Sequence, residues 1–109
     1  MDSRTERVRA LNDRLRTDGV GGNIVVSRGL AALGPQLLAN VMAAVQGFDR
    51  FTEDNDPYGV HDCALLDVAG ERVMFKIDYY DRAMRGHSPD EGDPAVTARV
   101  LTIMLASEY

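Results

Sequence analysis

The sequence holds a single cysteine, Cys63, so no disulfide can form within the chain and burial alone must hold its core. A chain without disulfides suits a reducing compartment, and cytoplasmic placement is the expectation. The opening residues Met1, Asp2, Ser3 and Arg4 lack the apolar stretch of a signal peptide. The longest apolar window, residues 100–106, is broken by Thr102 and is far too short to cross a bilayer, so no membrane partner is expected. Basic charge is also scarce. The 12 Lys and Arg are outnumbered by 17 Asp and Glu, for a net charge of −5. The deficit sits in residues 49–93, which hold twelve acids against five bases. Direct nucleic-acid binding is thereby disfavoured, because phosphate attracts a basic surface. An acidic middle suits a cationic protein surface or a metal ion, or serves only as a solvated surface.

Several chemical signatures are missing too. There is no internal repeat, no low-complexity tract and no Gly-x-Ser-x-Gly elbow for serine catalysis. The glycine-rich segment Asp18-Gly19-Val20-Gly21-Gly22 precedes a strand, whereas a phosphate cradle needs its glycines after a strand and before a helix.

What is present predicts one domain over residues 1–109. Ser3 and Glu6 match a capping box, and Val8, Leu11 and Leu15 recur at helical spacing, which predicts a helix over residues 4–17. Arg4, Arg7, Arg14 and Arg16 fall on its solvated face. Residues 23–27 are rich in β-branched side chains and read as a strand. Gly34-Pro35 opens a second helix, whose stripe of Leu37, Leu38, Val41, Met42, Val45 and Phe48 should pack on the sheet. Residues 61–68 and 72–80 read as a hairpin turning at Ala69-Gly70. That register pairs Leu66 with Val73, Ala64 with Phe75, Asp67 with Arg72, Cys63 with Lys76, Asp62 with Ile77 and His61 with Asp78. Asp93-Pro94 then resembles a helix start, and the apolar residues from Val96 to Leu105 predict a third, buried helix. The expected fold is α+β: a small antiparallel sheet of about three strands covered by three helices, in the order α-β-α-β-β-α.

Chemistry concentrates in two stretches, Asp54-Asn55-Asp56-Pro57-Tyr58-Gly59-Val60-His61-Asp62 and Lys76-Ile77-Asp78-Tyr79-Tyr80-Asp81. The hairpin register brings them to one end. Three readings stand for this cluster. It can be structural: Asp56-Pro57-Tyr58-Gly59 is a good β-turn, Asn55 and Asp56 can accept nearby backbone N–H groups, and His61 can pair with Asp78. It can be a binding surface, formed by Asp54, Asp56, Tyr58, His61, Asp62, Asp78, Tyr80 and Asp81, in which tyrosine rings supply area and carboxylates supply charge for an Arg- or Lys-rich partner. It can be a Mg²⁺ or Mn²⁺ site for hydrolysis, since such ions favour carboxylate oxygens. A calcium loop fails at Tyr58 and Leu65, where oxygen ligands are needed. Tyr79 shares the face of Val73, Phe75 and Ile77 and reads as core, while His87 and Arg85 read as loop polarity. Cys63 shares a face with His61 and lies across from Lys76, yet a lone strand cysteine is usually a small buried hydrophobe.

These motifs, with Leu11-Asn12-Asp13-x-Leu15-Arg16, Arg28-Gly29-Leu30-Ala31-Ala32-Leu33-Gly34 and Val100-Leu101-Thr102-Ile103-Met104-Leu105-Ala106, resemble a family of short uncharacterised bacterial proteins, a domain of unknown function often encoded on plasmids and mobile elements. The family pattern usually carries an aromatic residue where Cys63 stands, which argues against a shared thiol nucleophile. The resemblance implies an accessory or anti-defence role. The expectation is a non-enzymatic binding module without a cofactor, possessing a basic protein partner such as a host nuclease or an anti-CRISPR target. The alternative is a metal-dependent hydrolase or nuclease using the carboxylates around His61 and Asp78.

Overall fold

The computed structural model describes residues 3–109, and Met1 and Asp2 of the polar N-terminus lie outside the described residues. Helix α1 (Ser3–Asp18) buries Val8, Asn12, Leu15 and Arg16, whose spacing defines one helical face. It ends where Gly19, at φ 71°, returns its N–H to the Leu15 carbonyl. Arg16 is only 4% exposed, contrary to the solvated position expected for it. Its guanidinium donates to the Val45 and Phe48 carbonyls at 3.2 and 2.8 Å and pairs with Asp13 at 3.0 Å. The carbonyl-rich end of the next long helix thus draws the cation inward.

Strand β1 (Asn23–Val26) leads into a short helix α2 (Arg28–Ala31), which the sequence reading left out. Ser27 caps it, its side chain accepting the Leu30 N–H. Helix α3 (Pro35–Gln46) begins with Pro35 in its first turn, as expected, and buries Val41 and Val45. Strands β2 (Cys63–Val68) and β3 (Glu71–Tyr80) form the expected hairpin, with the register from Cys63–Lys76 to Val68–Glu71. Ala69 and Gly70 both have positive φ, 51° and 86°, the backbone of a type I′ turn.

The expected third helix is instead strand β4 (Ala98–Leu105), which lies inside the sheet. Asp93 does cap a turn, accepting the Ala95 N–H at 2.9 Å, but the chain then extends. A strand buried on both faces reads as a continuous apolar run, and that run matches a helix buried all round. The sheet therefore has four strands in the order β1-β4-β3-β2. It is mixed rather than antiparallel, because β1 runs parallel to β4.

One hydrophobic cluster joins α1, α3 and one face of the sheet through Leu15, Val41, Val45, Phe75, Leu101 and Ile103. Gly22 passes so close to β4 that a Cβ there would lie 2.4 Å from the Arg99 carbonyl oxygen. At the C-terminus, Glu108 accepts from Ser27 Oγ and from the Gly29 and Leu105 N–H groups, tying the last turn to α2. These bonds hold the Glu108 carboxyl below its ordinary range. Among the described residues no helix is long and apolar enough to cross a membrane.

Candidate functional site

The two acidic stretches do not meet as the extended register required. His61 has φ 57°, which ends β2 and turns its ring away from Asp78. The ring stacks on Phe51 at 3.9 Å between centroids. Its Nδ1 lies 2.8 Å from Asp13 on α1 and its Nε2 lies 3.6 Å from Asp56. Asp56 is buried and accepts the Val60 and His61 N–H groups at 3.2 Å each. Gly59 N–H donates to the Asp56 carbonyl, which closes the expected β-turn. Asp56 and His61 therefore pin the 49–62 loop against α1. Asp54 is exposed on that loop, and Tyr58 stands 81% exposed at its tip.

Asp62, Asp78 and Tyr80 gather elsewhere. Strand β3 outruns β2, so residues 77–80 have no β2 neighbour along that edge. The loop after β3 folds back through a Tyr80–His87 bridge and a 3.0 Å bond from Ser88 N–H to the Tyr79 carbonyl. Asp81 holds that loop, accepting the Arg85 N–H at 2.9 Å. Between these elements lies a cleft of about 420 Å³, lined by Asp62, Asp78, Tyr79, Tyr80, His87 and Glu91 with Ile77 and Gly86. No lysine or arginine is among these lining residues.

A buried polar network underlies this cleft. Asn12, fully buried, donates to the Tyr79 hydroxyl at 2.7 Å and to the Val60 carbonyl at 2.9 Å. It accepts from Arg99 Nε at 2.8 Å, and Arg99 also donates to the Glu91 carbonyl. The Tyr79 hydroxyl donates to Asp62 at 3.3 Å, which links the network to the cleft. Burial pushes the Tyr79 phenol well above its ordinary range. Burial also pulls the Arg99 guanidinium down, against the opposing pull of Tyr79 and Glu91. Asp62 is raised above the usual carboxylate value of 3.8, chiefly by desolvation and further by the Asp56 and Glu91 charges, although its Tyr79 bond works the other way.

Burial raises the Cys63 thiol as well, and His61 faces α1, so the strand no longer supports a Cys–His pair. Lys76 is committed to Asp78 and held above its ordinary range by that bond. Among the described residues no group of three or more His, Cys, Asp or Glu is arranged to hold a metal ion.

Sequence reasoning missed His87, Glu91, Asn12 and Arg99. The inequality of the two hairpin arms, which leaves β3 with a bare end, was the signal for His87 and Glu91. For Asn12 and Arg99 no local pattern existed, since each is polar on an element whose buried face reads as apolar.

The chain belongs to DUF3768, a family of proteins of unknown function, whose family model matches residues 26–108. The match begins within β1 and leaves out α1, the helix that supplies Asn12, Asp13 and Arg16. No curated protein and no solved structure matches the chain.

Proposed function

We propose that this protein is a non-enzymatic binding module that takes a basic group of a protein partner into the cleft between β3 and the 81–91 loop. The supporting observation is the cleft itself, which gathers Asp62, Asp78 and Glu91 beside Tyr80. Asp78 already pairs with Lys76, and Glu91 with Arg4 and His87, so the charge of Asp62 carries the reading. A guanidinium or ammonium group entering there gains carboxylate acceptors and an aromatic wall. Desolvation already disfavours the charge on Asp62, and an incoming cation relieves that cost. Tyr58 and Asp54, exposed on the neighbouring loop, extend the reading to a wider acidic rim.

In its finer form, the partner is a basic nucleic-acid channel of a nuclease or defence complex and the module an anti-defence inhibitor from a mobile element. That form rests on the resemblance alone. The alternative is a metal-dependent hydrolase or nuclease using the carboxylates around His61 and Asp78.

The test is a titration of the isotope-labelled protein with a short arginine-rich peptide at low and moderate salt, followed by amide chemical shifts. The expected result is a salt-sensitive response centred on Asp62, Asp78, Tyr80 and Glu91. A response spread evenly over acidic residues of the whole surface, or none at all, overturns the reading.

A further inference from the structure

Another polar hollow leads to a different surface. It measures about 590 Å³ and lies along β2, between Leu65, Leu66 and Asp67 on one side and Phe48, Asp49 and Arg50 on the other. Strand β2 is the edge of the sheet, six residues long, with no proline and no lysine to guard it. Ile77 N–H donates to the Asp62 carbonyl, so Asp62 turns its backbone groups toward β3. In an antiparallel ladder these directions alternate, which leaves the N–H and C=O groups of Cys63, Leu65 and Asp67 facing outward.

We propose that β2 pairs antiparallel with β2 of a second copy of this chain, with Leu65 on the two-fold axis. Two features of the outward sheet face select this occupant and this register. The first is an apolar row. Leu65, 48% exposed, lies beside Met74, which lies beside Met104, and both methionines are nearly buried. Placing Leu65 against Leu65 of the second copy continues that row across the axis and covers its exposed end.

The second is a row of charges. With Leu65 on the axis, Asp67 falls opposite Cys63 of the second copy. The neighbour of Cys63 within its own hairpin is Lys76. Each Asp67, already 3.1 Å from Arg72 of its own chain, would then face Cys63 of the second copy, with that copy's Lys76, itself paired with Asp78, one strand further along the same row. The hollow is also balanced in charge, with Asp49 and Asp67 against Arg50 and Arg72. A chain of net charge −5 can therefore approach a copy of itself here without net repulsion.

The experiment is sedimentation velocity on the full chain over a wide concentration range. The wild type should show a concentration-dependent dimer. Leu65→Arg, which places like charges opposite each other on the axis, should raise the dimer dissociation constant by about tenfold or more. Leu33→Arg makes the same charge change at another exposed leucine and should leave the constant unchanged. In a Cys63→Ser background, Leu65→Cys should cross-link on mild oxidation, because directly paired Cα atoms lie about 5.5 Å apart, within disulfide reach. A monomer at every concentration overturns the proposal. So does a dimer that Leu65→Arg leaves intact, or a Leu65→Cys chain that fails to cross-link.

Discussion

The Tyr79 hydroxyl stands between Asn12 and Asp62, accepting from the Asn12 amide at 2.7 Å and donating to the Asp62 carboxylate at 3.3 Å. That single oxygen connects a helix outside the family match to a carboxylate that lines the cleft. Tyr79→Phe keeps the ring under the Arg99 guanidinium but removes this link. The expected cost is about 1–3 kcal/mol, since Asn12 loses an acceptor while buried. Urea unfolding of the variant, with an unchanged m-value, checks it.

Gly22 tests the close passage of the first loop against β4. A methyl group at this position would sit 2.4 Å from the Arg99 carbonyl oxygen and 2.9 Å from the Leu15 side chain. The obstacle includes backbone, which cannot swing aside. Gly22→Ala should therefore destabilise by about 1–3 kcal/mol, read as a fall in the thermal midpoint. Gly21, whose Cβ position meets nothing within 4 Å, lies in open space, and any loss on Gly21→Ala reflects only its positive φ of 95°.

The hairpin turn is suboptimal in sequence. Ala69 adopts φ 51°, a left-handed conformation that costs a residue with a Cβ about 1–2 kcal/mol. Ala69→Asn supplies the residue that a type I′ turn prefers before glycine, and should stabilise the chain by about 1 kcal/mol. Chemical denaturation of the variant decides this. An unchanged or lower stability contradicts the turn assignment.

Those three positions show how much of the fold could be read in advance. The hairpin register was legible because alternation, the Ala69-Gly70 pair and the Asp67–Arg72 pair all agreed. Helix α3 was legible from Pro35 and a wide apolar stripe. Strand β4 was not, since a strand buried on both faces has no alternation and Asp93-Pro94 imitates a helix start. The site was half legible. Asp62, Asp78 and Tyr80 do line one cleft, but His61 leaves the register through a positive φ that no neighbour announces. Arg16 reads as solvated because the Val45 and Phe48 carbonyls that draw it inward carry no sequence signature, and its pair with Asp13 fits an exposed helix face equally well.

The carboxyl of Asp62 makes stability depend on pH in a definite direction. Its folded value lies above the ordinary 3.8, mainly through desolvation. Between the two values the folded chain keeps a proton that the unfolded chain has lost, so stability falls as pH rises through that window. Asp62→Asn keeps an acceptor for the Tyr79 hydroxyl and removes the charge. The variant should be more stable than wild type at neutral pH, and the difference should shrink on acidification and vanish below 3.8. Thermal melts of both proteins from acid to neutral pH check the sign.

Uptake of a basic group by the cleft, as proposed, can be probed at Asp62, whose charge works against folding. The decisive measurement is the affinity of wild type and Asp62→Asn for one arginine-rich peptide, taken with their stabilities at neutral pH. The variant should be more stable and yet bind the peptide at least about tenfold more weakly. Unchanged affinity in the stabilised variant would contradict the proposed uptake.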